Sequence, residues 1–354
     1  MADECILPEE ILHYIFLRMP TKPLLQLKCL SKHWNCVISN PSFMKARSRR
    51  MILAPALPLH AIDISVQGND MNHSMIKLHF PYAMLEDKEV TIVGSFNGIV
   101  FLVLEKAYRP HELILYNPFT GAFKTVPRPP YSDYTNHMYG FGYGTILDDL
   151  KIIRIMRYDS ANSGSRLYEI FSLKSGSWSS PSVLIGKYHF LKYSGTFVNG
   201  YLYWVAARDD HWPIIVALDI KKMVFSEILI PSGCNWNCLG RFNGRLSMIC
   251  IRSNDFELWV TNDHDSGNLW SKKCLSKYTS LSDHDKSFNV LCVLDDGKLL
   301  VVQYPSKQLI VYDMFKESYK EVNTLISFGQ LTNLQSIEYQ ESSISPADMC
   351  STLI

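Results

Sequence analysis

This sequence has no long apolar run. Crossing a bilayer takes about 20 consecutive apolar residues. The best stretches here, Ile99–Leu104 and Tyr201–Ala207, fall far short, so no membrane is expected among the partners. A charge excess is missing too: 35 Lys and Arg stand against 34 Asp and Glu, a formal net charge of +1. A dedicated nucleic-acid binder carries a basic surplus, so no nucleic acid is expected either. Asp3 and Glu4 occupy the place where a secretory signal puts Lys or Arg, position 2 is not Gly, and Cys350 is one place too early for a prenylation box. The nine cysteines are odd in number and lack a disulfide-scaffold spacing. The expected compartment is reducing, cytoplasmic and/or nuclear, and Asn72-His73-Ser74 reads as a chance sequon.

Catalytic signatures are also missing. There is no Gly-x-Ser-x-Gly elbow, no His-Glu-x-x-His, no phosphate loop and no Cys-x-x-Cys. Gly140-Phe141-Gly142-Tyr143-Gly144 places its third glycine too early for a dinucleotide loop and reads as a Gly-aromatic strand. Cys234 and Cys238 flank Trp236 with no second ligand pair at zinc-finger spacing. Asp263-His264-Asp265 and Asp283-His284-Asp285 sit in polar stretches and read as solvated loops. Lys45, Arg47, Arg49 and Arg50 form either a weak nuclear address or an exposed connector. No catalytic residue, metal or cofactor is assigned.

What is present is a core-forming chain: 47% apolar, 12% aromatic and only 19% charged. It divides near residue 50. From Pro8, apolar residues fall at Ile11, Leu12, Ile15, Phe16 and Met19, one face of a helix that Pro20 ends. Thr21 is placed to cap a second helical stretch with the stripe Leu27, Leu30, Trp34, Val37 and Ile38, broken by Asn40-Pro41. After residue 50, Asn-Gly and Asp-Gly turns precede apolar strands: Asn97-Gly98, Asn199-Gly200, Asn243-Gly244 and Asp296-Gly297 open Ile99–Leu104, Tyr201–Ala206, Arg245–Ile251 and Lys298–Gln303. Asp149, before Lys151–Met156, lies midway between the first two turns. Second strands follow at Glu112–Tyr116, Leu167–Leu173, Ile214–Leu218, Phe256–Val260 and Gln308–Tyr312.

Five copies at spacings of 51, 51, 44 and 53 residues have the period of a β-propeller blade. No Trp-Asp or Gly-Gly doublet is present, so period and strand pattern carry the assignment, with a β-sandwich as the alternative. Ala61–Val66 and Met75–Phe80 offer part of a further blade, and Leu331–Tyr339 a ring-closing strand. The expected organisation is an α+β two-domain chain: a helical domain at 1–48, a connector with first strands at 49–90, an antiparallel all-β propeller-like domain at 91–340, and a mobile tail at 341–354.

The N-terminal residues carry a resemblance. Leu7-Pro8-Glu9-Glu10-Ile11-Leu12, Ile15-Phe16-Leu17-Arg18-Met19-Pro20 and Lys22-Pro23-Leu24-Leu25-Gln26-Leu27-Lys28-Cys29-Leu30-Ser31-Lys32-His33-Trp34 together resemble the plant F-box pattern. Met19, Pro23 and Leu30 depart from it without placing a charge on the apolar face. Further on, Asn117-Pro118-Phe119-Thr120-Gly121, Tyr139-Gly140-Phe141-Gly142-Tyr143 with Asp148-Asp149-Leu150-Lys151, and Asn199-Gly200-Tyr201-Leu202-Tyr203-Trp204 are similar to motifs of the F-box-associated (kelch-like propeller) interaction domain. Chains built this way include S-locus receptors of self-incompatibility ribonucleases and receptors limiting immune or hormone signalling, and nothing in the residues selects among them.

The resemblance implies a substrate-recognition adaptor of a Skp–cullin–F-box ubiquitin ligase. Leu7, Pro8, Ile11, Leu12, Ile15, Leu24, Leu27 and Trp34 would bind a Skp-type adaptor and, through it, cullin. Physical reasoning points the same way, since some 45 residues are too few to bury two helical apolar faces alone; the alternative is that those faces pack on the β-region. A target protein would meet one face of the propeller in its loops. Interface anchors are enriched in Trp, Tyr and Arg, which singles out Tyr134, Arg208, Trp212 and Trp236; as the other possibility, Trp212 and Trp236 plug inter-blade grooves. The competing function is a propeller-fold enzyme with a helical appendage.

Overall fold

The computed structural model describes residues 7–47, 49–54, 58–64, 75–81, 88–106, 111–130, 137–144, 149–156, 166–184, 186–208, 212–234, 236–252, 255–262, 269–277, 287–322 and 335–350. Helices come first: α1 (Glu9–Arg18), α2 (Thr21–Leu30), α3 (Lys32–Ser39) and α4 (Pro41–Arg47). The second helical stretch of the sequence is two helices, because Ser31 is extended (φ −153°, ψ 153°) and its Oγ accepts the Trp34 N–H at 3.1 Å as the cap of α3. Asn40-Pro41 ends α3 and starts α4. Asn40 Oδ1 accepts the Ser42 N–H at 2.8 Å, and Pro41 occupies the first helical position, where a missing N–H costs nothing.

The described β-residues form six antiparallel sheets, and the architecture is a six-bladed propeller. Blade 2 is Glu89–Phe96, Ile99–Glu105, Glu112–Tyr116 and Phe123–Val126. Blade 3 is Met138–Gly144, Asp149–Ile155 and Arg166–Ser172, with Ser177–Trp178 and Ser182–Leu184 outermost. Blade 4 has a broken inner strand (Tyr188–Phe190, Thr196–Val198), then Tyr201–Arg208, Pro213–Asp219 and Val224–Leu229. Blade 5 is Trp236–Phe242, Arg245–Arg252, Asp255–Thr261 and Trp270–Lys277; blade 6 is Ser287–Val293, Lys298–Tyr304, Gln308–Asp313 and Ser318–Val322. Three of the blade-opening hairpins turn on Asn-Gly with both residues at positive φ (48° and 79° at Asn97-Gly98), the pairing that matches strand twist.

The first strands expected within the 49–90 connector build a blade of their own, and Glu89 already opens blade 2. Arg50–Ala54, His60–Asp63 and Met75–Lys77 make blade 1, and its inner strand is Ile337–Gln340 from the other end of the chain. Arg50 pairs with Gln340 and Leu53 with Ile337, and the inner strands then touch in sequence around a closed ring. The Gly-aromatic stretch is the inner strand of blade 3. A Cβ on Gly140 would lie 2.6 Å from the Trp204 ring, and one on Gly142 2.6 Å from Phe197, so glycine is what lets blade 4 approach.

All inner strands run the same way, which gives the ring two unlike rims. The near rim carries the first hairpin turn of blades 2 to 6 and the third turn of each blade; the far rim carries the middle hairpins and the connections between blades. The helices sit on the near rim. Phe16, Leu24, Ile38, Phe43 and Met44 form a buried cluster with Phe119, which projects from the turn between the last two strands of blade 2. Of the two alternatives for the apolar helical faces, packing on the β-region thus holds for the side that meets the ring, while Leu7, Ile11, Tyr14, Ile15 and Leu30 stay exposed.

The segment expected to be a mobile tail packs over its described part. Asn117 Nδ2 donates to Ser342 O at 3.0 Å and Ile344 O at 2.7 Å, and Met349 is buried against blades 2 and 3. Glu341 is buried against Arg47, Nε to Oε2 at 3.0 Å, with both side chains at most 1% exposed. Arg47 Nη2 donates to Thr21 Oγ1 at 3.2 Å, and that hydroxyl in turn donates to Glu341. Arg47 Nη1 donates to Phe16 O (3.2 Å) and Met19 O (2.7 Å), capping the carbonyl end of α1. Arg49 pairs with Asp63 at 2.9 Å, and Arg50 binds Glu338. The basic run from Arg47 to Arg50 is therefore joinery rather than exposed connector. Burial pulls Arg47 below the usual guanidinium range and pushes Glu341 up, each shift partly offset by the other's charge. Breaking such a pair strands the surviving charge, so Glu341→Ala is expected to cost about 3–5 kcal/mol, read from urea unfolding of the full chain.

Candidate functional site

Two surfaces stand out. The first lies on the helices away from the ring. Leu7, Ile11, Tyr14 and Ile15 are exposed large apolar residues on or just before α1, and Leu30 ends α2 73% exposed. Pro8 is exposed beside them. Among the eight residues expected to meet an adaptor, Leu7, Pro8, Ile11 and Ile15 lie on this surface. Leu12, Leu27 and Trp34 are half-buried against the helical cluster, Trp34 edge-on to Phe16 at 5.0 Å between ring centroids. Leu24 is fully buried beside Phe119, so it supports the surface instead of forming it. Periodicity marks an apolar face but not which of two partners covers it. Tyr14 and Leu30 belong to the exposed set and were read as neither anchor; their exposure depends on α1 and α2 turning their other sides to the ring.

The second surface is on the far rim, where the middle hairpin of blade 4 joins Tyr201–Arg208 to Pro213–Asp219. Arg208 and Trp212 close its described ends, with Arg208 N–H donating to Trp212 O at 3.1 Å. Trp212 is 70% exposed, which leaves no inter-blade groove for it to plug. Leu229, 67% exposed, ends the neighbouring strand in register with Ile214. Beneath them Glu227 accepts from Arg208 and from the Tyr188 hydroxyl at 2.9 Å; burial, then Glu227, pushes that phenol up to about 12. The guanidinium is thus held in place while 43% of its side chain faces solvent. Trp236, expected in a connection, opens the inner strand of blade 5 with its backbone opposite Cys250. Tyr134 lies outside the described residues, as do both Asp-His-Asp stretches.

A central cavity of about 580 Å³ runs between the inner strands, within the size range of small-molecule sites. Its charged lining is paired with itself: Arg50 with Glu338 and, at 3.6 Å, with Asp296, and Arg241 with Asp295 at 3.3 Å. A buried polar group under the far rim belongs to blade 3 and is not part of that lining: Arg154 pairs with Glu169 at 2.8 Å and donates to His137 Nε2 at 2.6 Å. Cys234 and Cys238 are both buried, and among the described residues no three His, Cys, Asp or Glu side chains cluster as a metal site. Burial first, then the adjoining Cys234 thiol, pushes the Cys250 thiol up, so Cys250 lacks thiolate character.

Glu105 ends the second strand of blade 2 on the far rim, in register with Glu89. Burial first, then the Glu89 charge, pushes its carboxyl from the ordinary 4.5 up to about 7. Between those two values the folded chain holds a proton that the unfolded chain has lost, so stability falls as pH rises through that window. Glu105→Gln is expected to raise stability by about 1–3 kcal/mol at pH 8, where the carboxylate is charged in both states, and to lose most of that gain at pH 4. Denaturant titrations at the two pH values check it.

Comparison with known proteins was made against this geometry. The family described as "F-box associated beta propeller domain" matches residues 52–330, and the F-box domain matches residues 5–46. A putative F-box protein of Arabidopsis thaliana is 27% identical over 295 residues, covering 80% of this chain and 78% of that one. The F-box protein CPR1 of the same plant is 27% identical over 364 residues, 90% of this chain and 84% of that one. An F-box/kelch-repeat protein of Arabidopsis is 26% identical, with 85% and 86% covered.

Proposed function

Because this chain belongs to the F-box associated β-propeller family and carries an F-box ahead of that domain, we propose that it is a non-catalytic substrate adaptor of a Skp–cullin–F-box ubiquitin ligase. The F-box would hold a Skp-type adaptor and, through it, cullin, and the far rim would hold a target protein for ubiquitination, in the cytoplasm or nucleus. One observation carries the reading: α1 and α2 keep Leu7, Ile11, Tyr14, Ile15 and Leu30 exposed although their other sides are already packed on the propeller. An apolar patch of this kind on a folded chain marks a docking surface. The propeller-enzyme alternative gains nothing comparable, since the cavity's charged groups are engaged with each other.

Truncating a buried anchor costs about 2 kcal/mol or more of binding, some thirtyfold. The double change Leu7→Ala with Pro8→Ala is therefore expected to weaken capture of a Skp-type adaptor by at least that factor, measured by calorimetry, while propeller melting stays put. Undiminished capture would overturn the adaptor reading.

Target contact is tested on the far rim. Trp212→Ala and Arg208→Ala are each expected to release the target captured with the proteasome blocked. The melting temperature of Trp212→Ala should stay near that of the parent, because a side chain 70% exposed contributes little packing. A lower melting point with the target retained would make Trp212 structural.

A further inference from the structure

The contact between helices and ring is built unlike a flexible tether. Four separate parts of the chain meet at it: the carbonyl end of α1, Thr21 at the start of α2, Arg47 at the end of α4, and Glu341 one residue past the ring-closing strand. Phe119 adds an apolar knob, 3% exposed, whose cluster neighbours all come from the helices. Lys28 lies over its ring, Nζ at 5.6 Å from the centroid. Ser343 Oγ donates to Ser39 O at 2.9 Å, tying the same C-terminal segment to the end of α3.

A buried ion pair is a poor way to gain net stability, because desolvation cancels much of the attraction; its best-attested use is to specify one arrangement among several. Burial displaces both partners here toward their neutral forms. A flat apolar contact tolerates sliding and rotation; the Phe119 knob, enclosed by residues of all four helices, resists sliding but leaves rotation about itself open. The Arg47 guanidinium does not, since its five N–H donors form a rigid fork and its partners lie on α1, α2 and Glu341. We propose that Arg47, Thr21, Glu341 and Phe119 are positioning residues that lock the F-box in a single orientation on the near rim, with the C-terminal segment as the bolt. If the reading under Proposed function holds, this lock would set the direction in which a target on the far rim faces the ligase core. The lock itself does not depend on that reading.

Distance measurements on the full chain test it. Spin labels carried by unnatural amino acids replace Glu10 on α1 and Lys316 on the near rim, both exposed. The parent protein is expected to give one narrow distance distribution. An apolar triple variant, Arg47→Met, Thr21→Val and Glu341→Leu, is expected to keep the melting temperature of the parent yet lose the single distance. Phe119→Ala, measured alone, removes the knob without stranding a charge and is expected to broaden the distribution with propeller melting retained, even should the triple variant fail to fold. A parent distribution already broad would overturn the proposal. So would a distribution as narrow in Phe119→Ala, or in a folded triple variant, as in the parent. Adaptor affinity, measured in parallel on the parent and on Phe119→Ala, separates the two ideas: weak binding by the parent counts against the adaptor reading and leaves the lock standing. Equal affinity with a broadened distance assigns Phe119 to orientation alone.

Discussion

The pairing of Ile337–Gln340 with Arg50–Ala54 is the constraint on which the rest of this molecule depends. A propeller has no stable edge until its first and last strands share a sheet, and here the shared sheet is blade 1. The register Arg50↔Gln340 does more than close the ring. It carries the ladder one step further, to Glu341 N–H donating to Arg49 O at 3.0 Å, and so delivers the Glu341 carboxylate to Arg47. A register slip by one residue would turn Ile337 and Tyr339 away from the core and place a different side chain against Arg47. Ring closure and the Glu341–Arg47 contact thereby rest on one register.

That coupling explains which parts of the structure were legible in the residues. Local signals were good guides: the Asn-Gly turns set the start of strands in blades 2, 4 and 5, and Glu112–Tyr116 has the same bounds in pattern and in structure. Pro20 acts through its nearest neighbours and marks the end of α1, whereas the break at Ser31 is not marked in the apolar stripe that runs across it. What was not legible is what depends on partners far along the chain. Arg50–Ala54 has no turn ahead of it and becomes a strand through a partner 288 residues away, as the Arg50–Glu338 contact measures. The Arg47–Glu341 pair spans 294 residues, and nothing in Lys45-Ala46-Arg47 distinguishes a buried guanidinium from a solvated one. A Ser-rich stretch such as 342–345 reads as solvated because its order comes from Asn117, whose turn was recognised but whose free amide was not assigned a role.

The same limit applies to the candidate site. The F-box pattern located the apolar helical residues, yet a helix that packs on the ring with one side and exposes apolar residues on another has a stripe wider than the packing needs. Leu24 and Ile15 look alike in sequence; one faces Phe119 and the other faces solvent. Only the position of the ring assigns them. Arg208 and Trp212 were found by composition, since exposed Trp and Arg on a hairpin are hard to explain as packing. The neighbour that completes their patch, Leu229, sits on another strand and acquires its role through the pairing with Ile214.

Rim polarity is the last consequence of the fold. With every inner strand parallel in direction around the ring, the Asn-Gly hairpins of blades 2, 4 and 5 collect on the near rim, and the connections from one blade to the next collect on the far one. The helices are seated on that rim by Phe119 and by Glu341 and Ser343. Long connections tolerate sequence change because little of the core passes through them. Mounting the helices on the near rim places them the whole depth of the sheets away from Arg208 and Trp212 on the far one. The glycines of blade 3 keep that depth rigid: Gly140 and Gly142 let Trp204 and Phe197 close against the neighbouring strand, and blades packed at that distance have no room to shear.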